Sequence, residues 1–275
     1  MNVRRNAIAV ITGASGGIGR ATALRLSNEG YAIIAHYWAR EDAAEQLSAQ
    51  ITAAGGTCWL ARANLATVDG IQQLVRYIED VLESHPDLAL HGLVNNAALL
   101  LGPSFESATV DEFDAYFAVN ARAPFFLTQA LATLISPGGG IVNISSAGAH
   151  FSSPGDIVYA MSKTAVESFT KNAAQSLAER GIRVNAVIPG FTDNGHDAFR
   201  DPRVRAHMSS YSVLGDVADP STVAEAIAFL LSDRAKRTTG AFLDVSGGST
   251  LAARTRSADS ISLRAMNTVI TATDD

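Results

Sequence analysis

The chain holds a single cysteine, Cys58. One thiol closes no internal disulfide and builds no cysteine-based zinc site, so neither can staple this fold. Long apolar runs are missing too. Stretches such as Ala7 to Ile11 and Leu99 to Leu101 fall far short of the ~20 residues a membrane span needs. Basic residues are in deficit, with 21 Lys and Arg against 27 Asp and Glu and a formal net charge of −6. That balance argues against a nucleic-acid surface as the main function. Residues Met1 to Arg5 run straight into a β-like stretch, without the apolar segment and cleavage site of a signal peptide. A soluble cytoplasmic protein is expected. Charged residues make up only 17% and hydrophobic ones 47%, which excludes wholesale disorder and allows a sizeable core. A length of 275 residues fits one large α/β domain or two small ones.

What is present is a rhythm. Ala7–Ile11, Ala32–His36, Cys58–Ala61, Leu90–Val94, Ile141–Ser145, Val184–Ile188 and Ala241–Val245 read as strands. Ile18–Asn28, Asp42–Ala53, Val68–Ser84, Val110–Leu134, Val158–Glu179 and Ser221–Leu231 read as helices, that over 110–134 in two pieces. The strands are nearly all apolar rather than alternating, as suits parallel strands buried on both faces. A βαβα order predicts one doubly wound α/β domain over residues 1–250, a seven-stranded parallel sheet with helices on both faces. Two segments fall outside it. Phe191–Gly215 is polar and irregular, carries His196, Phe199, Pro202 and His207, and reads as a substrate lid loop. Residues 251–275 read as a tail, either frayed or packed as an arm on a partner subunit.

The first strand ends in Thr12-Gly13-Ala14-Ser15-Gly16-Gly17-Ile18-Gly19, where a helix begins. Glycine tolerates positive φ and lets a ligand approach the backbone. The N–H groups and the positive helix end converge on one point, which suits a pyrophosphate. The spacing is Gly-x-x-x-Gly-x-Gly. With this motif the sequence resembles the short-chain dehydrogenase/reductase family, in its 3-oxoacyl-reductase-like branch, from about Asn6 to Gly248. The resemblance implies a Rossmann-type sheet and a nicotinamide cofactor held by Gly13, Ser15, Gly16, Gly17, Ile18 and Gly19. It aligns Tyr37 with the place where many members carry an aspartate for the NAD ribose. Without a carboxylate there, and with Arg40 to pair with a 2′-phosphate, NADP(H) is favoured over NAD(H). Glu41 and Asp42 keep NAD(H) open. Asn64-Leu65 takes the family's Asp-Val place beside the adenine. Asn95-Asn96-Ala97-Ala98 matches Asn-Asn-Ala-Gly, with Asn96, Ala97 and Ala98 beside the cofactor. Pro189-Gly190 matches a turn beside the nicotinamide, and Thr192 lies near it. Asn194 stands where a cofactor-binding threonine is common, and Ser246 where an aspartate is common.

Tyr159 and Lys163 are four apart on a predicted helix, hence on one face. A nearby ammonium favours phenolate and lowers a pKa that is ~10 unperturbed. So tuned, Tyr159 can exchange a proton with a carbonyl or alcohol near neutral pH. The resemblance adds Ser146, thirteen residues earlier, as the hydroxyl that binds the substrate oxygen, with Ser145 a structural neighbour. It adds Asn120 to a proton relay through Lys163 and water. It also gives Tyr159 and Lys163 contacts to the cofactor, and it calls for no metal.

The implied function is NADP(H)-dependent hydride transfer to or from a carbonyl or secondary alcohol of a small molecule. His150, Phe151, Ser152, Ser153, Phe191, His196 and Phe199 suit a medium-sized, partly apolar substrate. A ketone, a 3-oxoacyl thioester and a ring carbonyl all fit, although no basic run marks a carrier-protein docking patch. A homotetramer or homodimer is implied, with 110–134 and 158–179 at one interface. Non-redox chemistry on the same scaffold (isomerase, dehydratase, epimerase) is the alternative, and a dinucleotide-sensing regulator a further one.

Overall fold

The apolar runs form strands in the computed structural model, which describes residues 6–195 and 197–251. They are β1 (Ala7–Ile11), β2 (Ala32–Tyr37), β3 (Cys58–Arg62), β4 (Ala89–Asn95), β5 (Gly140–Ile144), β6 (Arg183–Pro189) and β7 (Phe242–Val245). All pair in parallel, in the order β3-β2-β1-β4-β5-β6-β7. This is the predicted Rossmann-type α/β fold. After β1 the chain winds to one side, and from β4 onward to the other. The crevice that opens at the carboxyl ends of β1 and β4 is where such sheets bind ligands.

The helices are α1 (Gly17–Asn28), α2 (Glu41–Ala53), α3 (Val68–Ser84), α4 (Val110–Phe117), α5 (Ala123–Leu131), α6 (Ile157–Ser176), α7 (Pro202–Ser209) and α8 (Pro220–Leu231). They cover both sheet faces, so β1, β2, β5 and β6 are buried along their whole length. Side chains alternate between two cores. Ile8 and Val10 join Leu74 and Ile78 of α3 and Leu127 and Leu131 of α5. Ala9 and Ile11 join Leu26 of α1, Leu47 of α2 and Ile227 of α8. Each large aliphatic side chain so buried contributes roughly 1.5–3 kcal/mol.

A polar line crosses the first core. Asn95 Nδ2 donates to Asn143 Oδ1 (2.8 Å) and to Thr128 Oγ1 (3.2 Å). Asn143 Nδ2 donates to Thr170 Oγ1 (2.9 Å). The line ties β4 and β5 to α5 and α6, and each bond offsets the cost of burying an amide.

Three stretches depart from the sequence reading. Residues 110–134 do form two helices, but a π-helical turn at Ala118–Arg122 joins them, with Asn120 at its centre. The long helix after β5 ends at Ser176, and a 3-10 turn at Ala178–Arg180 leads to Gly181 at φ +68°. The segment 191–215 is not irregular throughout: it holds a 3-10 turn (Asp197–Arg200) and α7. The missed signal is Asp201-Pro202. Asp201 caps the helix by accepting from Arg203 N, and Pro202 occupies the first turn. The base of this excursion is closed by a bridge between Thr192 and Ala218 and by Arg205, which pairs with Asp193 and Asp216. Residues 252–275, nearly all of the expected tail, lie outside the described residues, as does His196. No described helix is long and apolar enough to cross a membrane.

Candidate active site

The carboxyl ends of β1 and β4 are bound together by one hydroxyl. Thr12 Oγ1 donates to Val94 O (3.3 Å) and accepts from Asn96 N and Ala97 N (both 2.9 Å). Asn96 returns its amide, Nδ2 donating to Thr12 O (2.9 Å) and Gly13 O (3.1 Å). Gly13 itself has φ +65°, and a Cβ on it would fall 2.9 Å from the Ala97 Cα. No larger residue fits there. Gly13 N donates to His36 Nδ1 (3.1 Å), so His36 Nε2 carries the proton and donates to Ala63 O (3.0 Å). Burial lowers the pKa of this imidazole to about 4, which keeps it neutral and suited to both bonds.

The turn into α1 is built for close approach. A Cβ on Gly19 would lie 2.2 Å from Gly13 O, one on Gly17 would lie 3.2 Å from the Asn194 Cβ, and one on Gly16 would lie 1.8 Å from Arg40 Nη2. Gly16 is the N-cap of α1 and has no side chain with which to cap it, and the first turn of α1 has no acidic residue. The orphan N–H groups of this helix therefore remain for an outside acceptor. Ser15 and Ile18 lie on the same turn. These residues fit a pyrophosphate with Arg40 at its rim, the geometry a dinucleotide needs.

The other residues expected at the cofactor are more mixed. Tyr37 is buried, and its hydroxyl donates to Glu41 Oε1 (2.9 Å). Burial, with the carboxylate beside it, raises its pKa. Asn64 spends Oδ1 on Ala66 N (3.0 Å). The Leu65 side chain belongs to the core. Ala98 is not among the described non-glycine residues with positive φ, so its methyl meets no left-handed backbone. Pro189 ends β6 opposite Val245. Gly190 runs against Ser246, whose O would lie 2.7 Å from a Cβ. Thr192 Oγ1 donates to Gly190 O (3.1 Å).

At the carboxyl end of β5 Ser146 faces Tyr159, close enough to favour its ionised form. Ser146 Oγ accepts from Gly148 N (3.1 Å). Lys163 is buried and its Nζ donates to Ile144 O (2.8 Å), 5.6 Å from the centre of the Tyr159 ring. Here the structure corrects the sequence argument about proton affinity. Burial holds Tyr159 well above the ordinary phenol range, and Lys163, turned toward a backbone carbonyl, does not offset it. Burial lowers Lys163 in turn to about 8. In this state the phenol is firmly protonated.

Asn120 sits in the π-turn with its side chain fully engaged. Oδ1 accepts from Leu99 N (2.8 Å), and Nδ2 donates to Leu99 O (3.1 Å) and Ser162 Oγ (3.0 Å). Pro124, four residues on, has no N–H, so the usual helical donor to the Asn120 carbonyl is missing. Ser145 Oγ donates to Glu167 Oε1 (2.6 Å), which His150 Nε2 also meets (2.8 Å). Phe151, Phe191 and His207 each contact the Tyr211 ring, with centroids 5.7, 5.0 and 5.4 Å away.

Sequence reasoning passed over four residues of this region. Asp156 and Tyr116 approach Tyr159, and Arg62 stacks its guanidinium on Trp38 (5.4 Å) at the strand end next to Tyr37. Asp156, three residues before Tyr159, carried the only available signal, a carboxylate one helical turn from the phenol. The described residues contain no cluster of three or more His, Cys, Asp or Glu placed for a metal ion.

Comparisons with known proteins agree with this geometry. A family model described as enoyl-(acyl carrier protein) reductase matches residues 13–250. The oxidoreductase YgfF of Escherichia coli K12 is 35% identical over 254 residues, covering 88% of this chain and 99% of YgfF. The 3-oxoacyl-[acyl-carrier-protein] reductase FabG of Staphylococcus aureus Mu50 is 34% identical over 243 residues, 87% of this chain and 96% of that protein. Among solved structures, the angucycline C-6 ketoreductase LanV with bound NADP superposes with a TM-score of 0.88 at 38% identity, over 91% of this chain and 98% of LanV. With a glycine cradle at the β1–β4 crevice and a serine, tyrosine and lysine gathered at β5, the chain belongs to the short-chain dehydrogenase/reductase family and is an NAD(P)-dependent oxidoreductase of the ketoreductase type.

Proposed function

We propose that the chain reduces a ketone of a medium-sized, largely apolar ring compound, using NADPH. The observation that carries this reading is the gathering of Ser146, Tyr159 and the buried Lys163 at the end of β5, beside the cradle. Bound NADPH supplies the hydride. Ser146 and Tyr159 direct two hydroxyls at one substrate oxygen, and Tyr159 gives it a proton. A phenol held in its protonated form is the state that reduction requires. Lys163, buried and still largely charged at neutral pH, stands behind the phenol as charge develops on it. Asn120, bonded to Ser162 of α6, is placed by this reading in the proton relay behind Lys163.

The coenzyme preference rests on Arg40, whose guanidinium lies against Gly16 at the rim of the cradle. Glu41, the carboxylate bonded to Tyr37, is occupied by the Tyr37 hydroxyl. LanV, a similar protein, was solved with NADP. For the substrate, loops from β4, β5 and β6 all leave the carboxyl end of the sheet. They bring the exposed Leu99 and Leu100 and the cluster of Phe151, Tyr211 and Phe191. Such a lining suits a fused-ring carbonyl better than an extended thioester.

Absorbance of the reduced nicotinamide tests the reading. NADPH should be consumed with aryl or fused-ring ketones. Binding of NADPH without oxidation by any ketone in such a panel would instead favour the non-redox alternative. Self-association belongs to the same reading. Phe113, Phe125, Phe126 and Met161 are exposed apolar side chains on α4, α5 and α6, as suits helices that pack on a partner. Light scattering should return a dimer or tetramer, and a clean monomer would contradict it.

A further inference from the structure

The turn after β4 is held in a shape that its sequence resists. Leu101 has φ +59°, a left-handed backbone that a leucine adopts only under constraint. The constraints are visible on either side. Asn120 brackets Leu99 with two hydrogen bonds, at 2.8 and 3.1 Å. The Tyr116 hydroxyl donates to Leu100 O at 2.7 Å. Beyond the strained residue, Gly102 N donates to Asp156 Oδ1 at 2.5 Å. Two clamps precede Leu101 and one follows it, and the last is the carboxyl of Asp156.

Asp156 is the N-cap residue of α6, three positions before Tyr159. The turn also rests on that tyrosine directly: a Cβ on Gly102 would fall 3.0 Å from the Tyr159 Cβ and 3.2 Å from its N. Turn and carboxyl therefore pack against the backbone that carries the phenol. Leu99 and Leu100 remain 37% and 49% exposed, although apolar, at the edge from which a substrate of Tyr159 must approach. The charged and titratable groups around Asp156 are few. Tyr159 on α6 and Tyr116 on α4 are the ones that feel it or share its surroundings. Lys163 is turned to Ile144 O. Burial raises the Asp156 carboxyl to about 6. Ionised or protonated, it can still accept from Gly102 N.

We propose that Asp156 is a positioning residue that locks the strained turn Leu99–Gly102 onto Tyr159. It thereby fixes Leu99 and Leu100 as the apolar wall that selects and binds a ring ketone. This rests on the reading of Tyr159 as the proton donor. Removing the clamp lets Leu101 relax out of its left-handed conformation and draws the wall away. Glycine at 101 adopts that conformation freely, so it should restore part of what the clamp supplied.

The test combines kinetics with amide exchange. With the best ring ketone of the panel, Asp156→Ala should raise KM about tenfold and change kcat little. Asp156→Asn keeps an acceptor oxygen and should stay near wild type. The double variant Asp156→Ala with Leu101→Gly should reverse part of that rise in KM. Amide exchange over residues 99–102 should speed up in Asp156→Ala and not in Asp156→Asn. NADPH binding, followed by fluorescence, should be equal in all. If the alanine variant does not fold, Asp156→Ser, too short to reach Gly102, takes its place. An unchanged KM, a loss confined to kcat, unaltered exchange, or a double variant no better than the single one would overturn the clamp. Failure of the wild-type protein to reduce any ketone would instead count against the reading on which it rests, and the exchange measurement would still report on the turn.

Discussion

Tyr159→Phe is expected to lower ketone reduction by at least about a thousandfold while leaving NADPH affinity within a few-fold of wild type. The substitution removes one oxygen and little volume. That oxygen is the hydroxyl that faces Ser146, so the loss falls on the proton donor and on one of the two groups proposed to hold the substrate oxygen. The cradle at Gly13 to Gly19 and the bonds of Thr12 and Asn96 lie on other elements and are untouched. A readout on kcat together with direct coenzyme binding separates the two. Ser146→Ala should cost less, because the phenol remains. Retained turnover in the phenylalanine variant would remove Tyr159 from the chemistry.

Arg40→Ala should weaken NADPH binding by about ten- to thirtyfold and change NADH binding little. A guanidinium and a 2′-phosphate form charge-assisted bonds, for which 10- to 100-fold is a common range. Exposure of Arg40 places the effect toward the low end. The effect should shrink with added salt. Parallel titrations of the two coenzymes decide it. Equal losses for both would mean that Arg40 supports the turn at Gly16 instead of reading the phosphate. Arg62, stacked on Trp38, is the natural second cation to compare.

Much of the fold was legible because its signals are local. Apolar runs of five to seven residues with helices between them define a parallel sheet, and all seven strands appeared within a residue or two of expectation. The cradle was legible for the same reason, since Gly13, Gly17 and Gly19 are close in sequence. What escaped notice depends on distant contacts. No local pattern says that Lys163 turns toward Ile144 O, or that burial outweighs its charge at Tyr159. The hold of Asp156 on Gly102 spans 54 positions, and only the packed structure brings them together. The helix at Pro202–Ser209 was missed for a different reason: its cap and proline were present, but the polar composition around them reads as loop.

The contact between Gly16 and Arg40 has a consequence for engineering this enzyme. The guanidinium occupies the space that any side chain at position 16 would fill. Arg40 is exposed and flexible, so a side chain at 16 would push its guanidinium aside at little cost to folding. It would move the cation off the rim of the cradle, however, and so act on coenzyme choice through Arg40. Coenzyme switching by directed evolution should therefore sample the two positions jointly.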